Sequence, residues 1–200
     1  PYSLNYTKKY KNINFIIHIN SEIHPWRNPA VPINYGIKKA KGKYIMIISP
    51  ESIFVNNVVD RLYQNCVKHK NIFTYGNIIF TSKSYYKSHS IEKLFDKKTK
   101  ITNDFIGPVG YGSICCSKNN FKKVGYYNED FILWGGEDDN VRINLINKGI
   151  NGINITESKM IHLETKNELN QRLNKMQNKN NIKNILNSYS IDEIKQILKN

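Results

Sequence analysis

The segment 131–140, FILWGGEDDN, constrains this chain more than any other part of its sequence. Its two glycines remove side chains where the backbone must approach something closely. Trp134 adds a flat apolar face with one N–H, which suits the apolar face of a sugar ring. Adjacent carboxylates repel, so a fold keeps them together when a cation, a proton or a hydroxyl-bearing ligand lies between them. The segment therefore predicts a site, although acidic residues that merely cap a helix would give the same pattern.

The residues that follow this segment predict a helix. Apolar side chains recur with helical spacing between residues 141 and 146, and Lys148-Gly149 ends the run. Glu137 and Asp138 would then lie at the N-terminus of the helix, where the partial positive charge of the backbone stabilises carboxylates.

The letters WGGEDD in this segment resemble a segment of the β-1,4-galactosyltransferases. They also resemble the related segment of polypeptide N-acetylgalactosaminyltransferases and bacterial chondroitin-type polymerases. In those enzymes the segment forms the acceptor side of the site, and its first Asp is the general base. The resemblance implies that Asp138 is the catalytic base and that Glu137 binds substrate hydroxyls. It also implies that Trp134, Gly135 and Gly136 bind substrate.

A second resemblance covers residues 27–45. Here a helix is predicted from about Ile33 to Lys41 and a strand from Lys43 to Ile48, whose apolar run is typical of a parallel strand buried on both faces. The stretch is similar to the Asn-x-Gly-x-x-x-Ala-x-Gly-x-x-Ile stretch of inverting GT-A glycosyltransferases. Within it, Arg27 and Asn34 are candidate substrate-binding residues.

The triplet after this strand departs from the family pattern. In the family the strand ends in Asp-x-Asp, whose acids bind the metal that holds the nucleotide diphosphate. This chain has Ser49-Pro50-Glu51 instead. The resemblance implies that Glu51 is the metal ligand. A plain strand-ending turn, or a weak or metal-free site, is the alternative.

A third resemblance lies at Met160-Ile161-His162, which is followed by KNE at 166–168. The β-1,4-galactosyltransferases carry Met-Ile-x-His and then Lys-Asn-Glu-x-Asn at this place, and their Met and His are metal ligands. His162 is the ligand that the resemblance implies, since imidazole is a common metal ligand. The spacing is one residue shorter in this chain, which favours a Met160 that turns away. A packed or surface histidine is the alternative for His162.

The glycines of 107–113, GPVGYGS, indicate turns and close backbone approaches. The run from Gly112 to Phe131 resembles the glycine-rich strand and the Phe-x-x-Val-Gly-Gly-Phe-Asp-Glu segment of the same family, with Tyr126 in place of the second Gly, and in that family the glycine-rich part lies beside the donor sugar. Tyr111 is therefore a candidate substrate-binding residue, with a packed core tyrosine as the alternative. The resemblance as a whole implies a UDP-sugar donor, a glycan acceptor and a divalent cation, Mn²⁺ or Mg²⁺. Such a cation neutralises the leaving pyrophosphate and prefers oxygen ligands.

These motifs predict an α/β fold of GT-A-like, Rossmann-like type, with a mixed central sheet flanked by helices. We expect this domain to cover residues 1–168, followed by a helical tail over 169–200 with a last helix from Ile191 to Leu198. A buried strand is predicted at 14–19 and an edge strand from Ile150 to Ile155. The first nucleotide-binding βαβ unit of the family is expected to be missing.

Composition limits the partners and the compartment. The chain has 200 residues and a net charge of +14, which we attribute to solvated surface in a protein of an AT-rich viral or microbial genome. No specific nucleic-acid partner is expected, and a strong salt dependence of binding would expose one. Three cysteines without a CxxC favour a reducing, cytoplasmic compartment. No apolar run reaches the ~20 residues that span a bilayer.

We therefore expect an inverting glycosyltransferase that moves a galactose or N-acetylhexosamine type of sugar from a UDP-sugar to a glycan or protein-glycan acceptor. The alternative is a non-catalytic relative that binds glycans or acts as a scaffold. The sequence leaves the donor sugar, the acceptor, the linkage and the oligomeric state open.

Overall fold

The computed structural model describes residues 13–19, 28–109, 112–131 and 135–174. In this part of the chain, helices pack against one mixed sheet of six strands. The strands are β1 Tyr44–Ile47, β2 Ser52–Phe54, β3 Ile72–Ser82, β4 Phe105–Val109, β5 Ile114–Ser117 and β6 Asn151–Glu164. The helices are α1 Ala30–Lys39, α2 Val58–Lys68, α3 Lys83–Ser88, α4 Ile91–Leu94, α5 Lys118–Lys123, α6 Glu137–Asn147 and α7 over 166–174. The predicted α/β class with a mixed, helix-flanked sheet is confirmed.

The strand order is β1-β5-β3-β6-β2, and β4 pairs with the second half of β3. β3 runs parallel to β6 and antiparallel to β4 and β5. The pairs β1–β5 and β2–β6 are also antiparallel. β6 thus lies between β3 and β2, and His162 on β6 has Phe80 on one side and Ser52 on the other.

Two strand predictions need correction. β1 was expected to be a parallel strand inside the sheet, but in the described part of the chain it pairs only with β5, antiparallel. The predicted edge strand from Ile150 to Ile155 is an inner strand that continues to Glu164. The apolar residues predicted both strands but not the strands that pair with them, because an apolar run indicates only that a strand is buried.

The strand predicted at 14–19 is also wrong. These residues form no strand, and their apolar side chains are exposed, with Ile16 at 62% and Ile19 at 86% of full exposure. A strand needs a partner edge for its backbone N–H and C=O groups. None of the described strands pairs with this segment.

The helix predictions hold with shifted ends. The helix predicted from Ile33 to Lys41 is α1, and the helix predicted after the acidic residues is α6. The lysine-rich stretch 82–100 contains α3 and α4, each begun by a serine whose hydroxyl accepts a backbone hydrogen bond.

The core extends across the predicted boundary of the tail. Leu169 on α7 is fully buried in a cluster with Ile155 and Met160 of β6. The start of the predicted tail therefore packs on the domain, while the predicted helix from Ile191 to Leu198 lies outside the described residues. The three cysteines are free and buried, and burial raises the pKa of Cys116 to about 12.

Candidate active site

Two glycines shape the backbone in front of α6. Gly135 and Gly136 have φ values of 88° and 97°, in the left-handed region that favours glycine. A Cβ on Gly136 would also lie 2.9 Å from the ring of Phe131. The glycines were predicted to let the backbone come close to another group. In the structure that group is the Phe131 ring, and the glycines form a tight turn after which α6 begins at Glu137. Whether these glycines bind substrate stays a prediction.

Glu137 is buried and held by an amide. Its Oε2 accepts a hydrogen bond of 2.8 Å from Nδ2 of Asn28. The other end of that amide is fixed as well, because Oδ1 of Asn28 accepts from the backbone N–H of Ala30 at 3.0 Å. The contact joins the beginning of α1 to the beginning of α6, and so it holds the carboxylate in place.

Asn28 was missed as a site residue by the sequence reasoning, which chose its neighbour Arg27. A signal was present, because an asparagine two residues before a helix often fixes the turn through its side chain. Its partner could not be read from the sequence. Arg27 itself, together with the candidates Tyr111 and Trp134, lies outside the described residues.

Asp138 is partly buried beside Glu137. Burial raises the pKa of its carboxyl, and the charges of Glu137 and Asp139 raise it further. The guanidinium of Arg142 and the hydroxyl of Tyr127 act in the opposite direction. A carboxyl whose pKa is moved upward is a better proton acceptor when it is ionised, which suits a general base.

Tyr127 supplies a buried phenol next to this carboxyl. The residue is 1% exposed, and burial, followed by the charge of Asp138, raises the pKa of its hydroxyl well above the usual value. The phenol therefore stays protonated. Its hydroxyl makes no hydrogen bond of good geometry within the described residues, although it acts electrostatically on Asp138.

Asn34, a predicted substrate-binding residue, is 2% exposed and bridges α1 to the segment before α6. Its Nδ2 donates to the carbonyl of Tyr127 and to Glu129, both at 2.8 Å, and its Oδ1 accepts from the N–H of Tyr127 at 2.9 Å. These contacts position Tyr127. Direct binding of substrate by Asn34 stays a prediction.

The two predicted metal ligands lie close to each other in the fold. Glu51 lies in the turn after β1, and His162 lies on β6. Oε2 of Glu51 is 3.8 Å from Nε2 of His162. The opposite ring nitrogen, Nδ1, is 3.3 Å from Oε1 of Glu164.

Glu164 and Arg172 form a support behind His162. Arg172, on α7, donates to the buried carboxylate of Glu164, and its guanidinium carbon lies 3.8 Å from the centre of the Phe80 ring. Burial lowers the pKa of His162, and the charge of Arg172 lowers it further. The imidazole is therefore neutral near pH 7, which is the form that binds metals.

The residues present fit a divalent cation only in part. No three His, Cys, Asp or Glu side chains of the described ranges cluster as a cation site. Met160 is fully buried, with its methyl group against Gly76 and Gly112. Glu51 and His162 thus form a two-residue set. Such a set suits a cation that takes its other ligands from phosphates and water, as Mg²⁺ commonly does at nucleotide sites.

Gly112 connects the acidic helix to β6. Its carbonyl accepts from Nη2 of Arg142 at 3.1 Å, and its N–H donates to the carbonyl of Gly76 at 2.8 Å. A Cβ at Gly112 would lie 2.0 Å from Cε of Met160. Met160 precedes His162 by two residues on the same face of β6. One glycine therefore touches both the helix of Asp138 and the strand of His162.

The chain is similar to known glycosyltransferases. Residues 93–169 match the family described as the N-terminal domain of galactosyltransferase. Among solved structures, GalNAc-T7 with UDP, GalNAc and Mn²⁺ is 16% identical over 68% of this chain and 30% of that one, with a TM-score of 0.49. The catalytic domain of Drosophila β1,4-galactosyltransferase 7 with xylobiose is 18% identical over 72% and 54%, with a TM-score of 0.46. Among curated proteins, none matches.

The family match confirms the galactosyltransferase-like resemblance that the motifs indicated, and it contains both the acidic segment and His162. It also supports the predicted glycosyltransferase class of enzyme. The chain spans about a third and about half of the two solved chains, and likenesses this distant indicate no activity for it. No helix in the described ranges has the length and apolar character that a bilayer crossing requires.

Proposed function

We propose that this chain is an inverting glycosyltransferase that moves a sugar from a UDP-sugar to a hydroxyl of a glycan acceptor. One observation carries the proposal: a buried carboxylate, Glu137, and a partly buried one, Asp138, begin α6 inside the segment that matches the galactosyltransferase family. A cap alone would leave acidic side chains in water, whereas in this fold a buried asparagine holds the first of them.

In the proposed reaction, Asp138 accepts the proton of the acceptor hydroxyl while the hydroxyl oxygen attacks the anomeric carbon of the donor. The bond between that carbon and the diphosphate oxygen breaks on the opposite face, and UDP leaves with the electron pair. The configuration at the anomeric carbon is therefore inverted. Asn28 holds Glu137, the neighbour of Asp138, in position at the beginning of α6, so that the acceptor meets an ordered site.

Glu51 and His162 are the residues that would hold Mn²⁺ or Mg²⁺. Bound there, the cation would offset the negative charge that builds up on the leaving diphosphate. Oε1 of Glu164 lies 3.3 Å from the other imidazole nitrogen, Nδ1, which makes no hydrogen bond of good geometry within the described residues. A small shift of this carboxylate would orient the imidazole, as a carboxylate commonly does behind a ligand histidine. Trp134 is proposed as the platform for the acceptor sugar.

A non-catalytic relative that binds glycans is the second candidate. It is favoured by the replacement of Asp-x-Asp with Ser49-Pro50-Glu51, and in the described part of the chain two protein ligands come together rather than three. In that case the acidic site would bind sugar hydroxyls without transfer.

The two candidates differ in product formation. The protein is incubated with Mn²⁺, a panel of UDP-hexoses and UDP-N-acetylhexosamines, and a panel of oligosaccharides, and UDP release is measured beside proton NMR of the product. The proposal predicts a β-linked product from an α-linked donor. A folded protein that binds an oligosaccharide but neither binds nor cleaves any UDP-sugar would favour the second candidate. An α-linked product would contradict inversion.

A further inference from the structure

One end of the sheet brings together four segments that are far apart in the sequence. β1, β3 and β6 begin at this end, and β5, which runs in the opposite direction, ends there. One residue of each strand lies in a single row across the sheet, namely Ile45, Cys116, Phe73 and Gly152. Neighbouring strands are about 4.8 Å apart, so the residues just outside this row lie close together in the fold.

The four segments at this end are rich in lysine. Four lysines lie in 38–43, two in 68–70, three in 118–123 and one at position 148, and none of these segments contains Asp, Glu or Arg. All of these lysines are exposed except Lys118, which is half-buried. The net charge of +14 is thus concentrated in part at one end of the molecule. We call these lysines the basic end.

Contacts within the protein use little of this charge. Lys118 holds the end of α1, because its Nζ donates to the carbonyl of Lys38 at 3.0 Å and to that of Ala40 at 2.6 Å. Among the lysines of the basic end, Lys38 alone has an ion pair with a described residue, at 4.0 Å from Oε1 of Glu129. Like charges left exposed at one end repel each other and attract an anionic surface.

The basic end lies far from the candidate active site. On β6, His162 pairs with Phe80, which is eight residues along β3 from Ile72, or about 26 Å of strand. On α6, Asp138 lies ten residues before Lys148, or about 15 Å of helix. Exposed charges are screened beyond about 8 Å at physiological salt. The lysines therefore do not serve a donor at the candidate active site, and their charge requires another explanation.

We propose that the basic end docks the protein on an anionic lipid bilayer, with the candidate active site directed away from the membrane. Clustered lysines are attracted by the negative surface of a bilayer that contains anionic lipids. The segments contain lysine and no arginine. Lysine is a flexible point charge that suits a diffuse negative surface, whereas nucleic-acid recognition favours the bidentate contacts of arginine. The inference rests on the end of the sheet and its charge, and it does not depend on sugar transfer.

Sedimentation of the whole chain with lipid vesicles tests this proposal. The vesicles contain phosphatidylcholine alone or phosphatidylcholine with phosphatidylserine, at about 0.1 M salt. The basic-end variant changes one exposed lysine in each segment, with the substitutions Lys41→Gln, Lys70→Gln, Lys122→Gln and Lys148→Gln.

The control variant loses the same charge elsewhere. It changes four exposed lysines between β3 and β4, which meet at the opposite end of the sheet. Its substitutions are Lys87→Gln, Lys97→Gln, Lys98→Gln and Lys100→Gln. Thermal unfolding checks that both variants are folded.

We expect the wild type to bind vesicles that contain phosphatidylserine and not those of phosphatidylcholine alone. The partition coefficient should fall at least about tenfold in the basic-end variant, because each lysine near an anionic surface adds to the attraction. In the control variant it should fall by no more than about twofold, because the changed lysines lie beyond the screening length from the membrane. If the basic-end variant is unfolded, the double substitution Lys122→Gln and Lys148→Gln should still lower binding more than Lys97→Gln and Lys98→Gln.

A wild type that does not sediment with phosphatidylserine vesicles would overturn the proposal. Equal losses in the two variants would also overturn it, because net charge rather than the basic end would then govern binding. Release of the wild type from the vesicles by a DNA duplex at equal phosphate concentration would overturn it in favour of a nucleic-acid partner. The measurement uses no donor or acceptor sugar, so its failure is distinguishable from failure of the proposed function.

Discussion

Oε2 of Glu51 and Nε2 of His162, which come from distant parts of the sequence, lie 3.8 Å apart. Glu51 follows the first strand of the described sheet, and His162 lies on the last. The sequence resemblance implied each of them separately as a metal ligand. Two side chains that bind the same cation must lie close together, as Glu51 and His162 do. This contact leads to a prediction about metal binding.

His162→Ala should abolish the Mn²⁺-dependent part of UDP binding. The variant loses one of two protein ligands. Removal of a group that only supports a ligand lowers metal affinity by roughly 10–100-fold, so removal of the ligand itself should lower it by at least as much. Calorimetry of UDP with and without Mn²⁺ measures this change. His69→Ala removes an exposed histidine and serves as the matched control. Equal Mn²⁺ dependence in both variants would remove His162 from the site.

Asp138→Asn should make the protein more stable at neutral pH. The pKa of Asp138 is raised in the folded state, so the folded protein holds a proton there more tightly than the unfolded chain. Above the folded pKa the ionised carboxyl therefore destabilises the fold, by about 1.4 kcal/mol for each pH unit that separates the folded pKa from the unfolded pKa. Thermal unfolding should show a gain for Asp138→Asn at pH 8 that shrinks as the pH falls through the folded pKa. A gain that is the same at pH 8 and pH 4 would contradict an origin in the buried charge.

Gly112→Ala should destabilise the fold by about 1–3 kcal/mol, the usual cost of an overfilled core. The new methyl group would lie 2.0 Å from Cε of Met160 and 2.8 Å from the carbonyl oxygen of Gly76, and the latter is backbone that cannot move aside. Gly36→Ala is the matched control, because nothing lies within 4 Å of its added Cβ on α1. The control should be neutral or stabilising by up to about 1 kcal/mol. Chemical denaturation compares the two, and equal effects would contradict the close packing at Gly112.

Asn28→Ala should cost about 1–3 kcal/mol, because it removes a hydrogen bond from the buried carboxylate of Glu137. It should also lower transfer activity, since Glu137 at the beginning of α6 loses its contact with the beginning of α1. Asn65→Ala, which removes an exposed amide contact on α2, should change stability by no more than about 0.5 kcal/mol. Urea unfolding of both variants measures the difference. A loss for Asn28→Ala no greater than for the control would mean that the amide does not support Glu137.

The sequence predicted those features of the fold that depend on local pattern. Apolar spacing identified α6 and α1, and the continuous apolar run identified β1. The same kind of run at 14–19 did not give a strand, because pairing depends on an edge elsewhere in the chain. Neighbour relations, such as the placing of β6 between β3 and β2, depend on long-range contacts that periodicity does not contain.

The candidate site was predictable where a motif carried it. The residue types and the order of the motifs were enough to name Glu137, Asp138 and His162 as candidate site residues. The contact of Asn28 with Glu137 and the placing of Arg142 against Gly112 could not be predicted, because each joins segments that are remote in sequence. Residues that only support a site residue form no sequence motif, because any hydrogen-bond donor or cation of suitable length could make the same contact.

The central claim is that Asp138 is the base of a glycosyl transfer, and a comparison of Asp138→Asn with Asp130→Asn tests it most directly. Transfer from the donor that the wild type accepts is measured for both, with folding checked by thermal unfolding. We predict a loss of about 10²–10⁴-fold in kcat for Asp138→Asn, the usual contribution of a general base, with UDP binding kept. Asp130→Asn, which changes an exposed acid just before the site, should be as active as the wild type. Wild-type turnover in a folded Asp138→Asn would contradict the account.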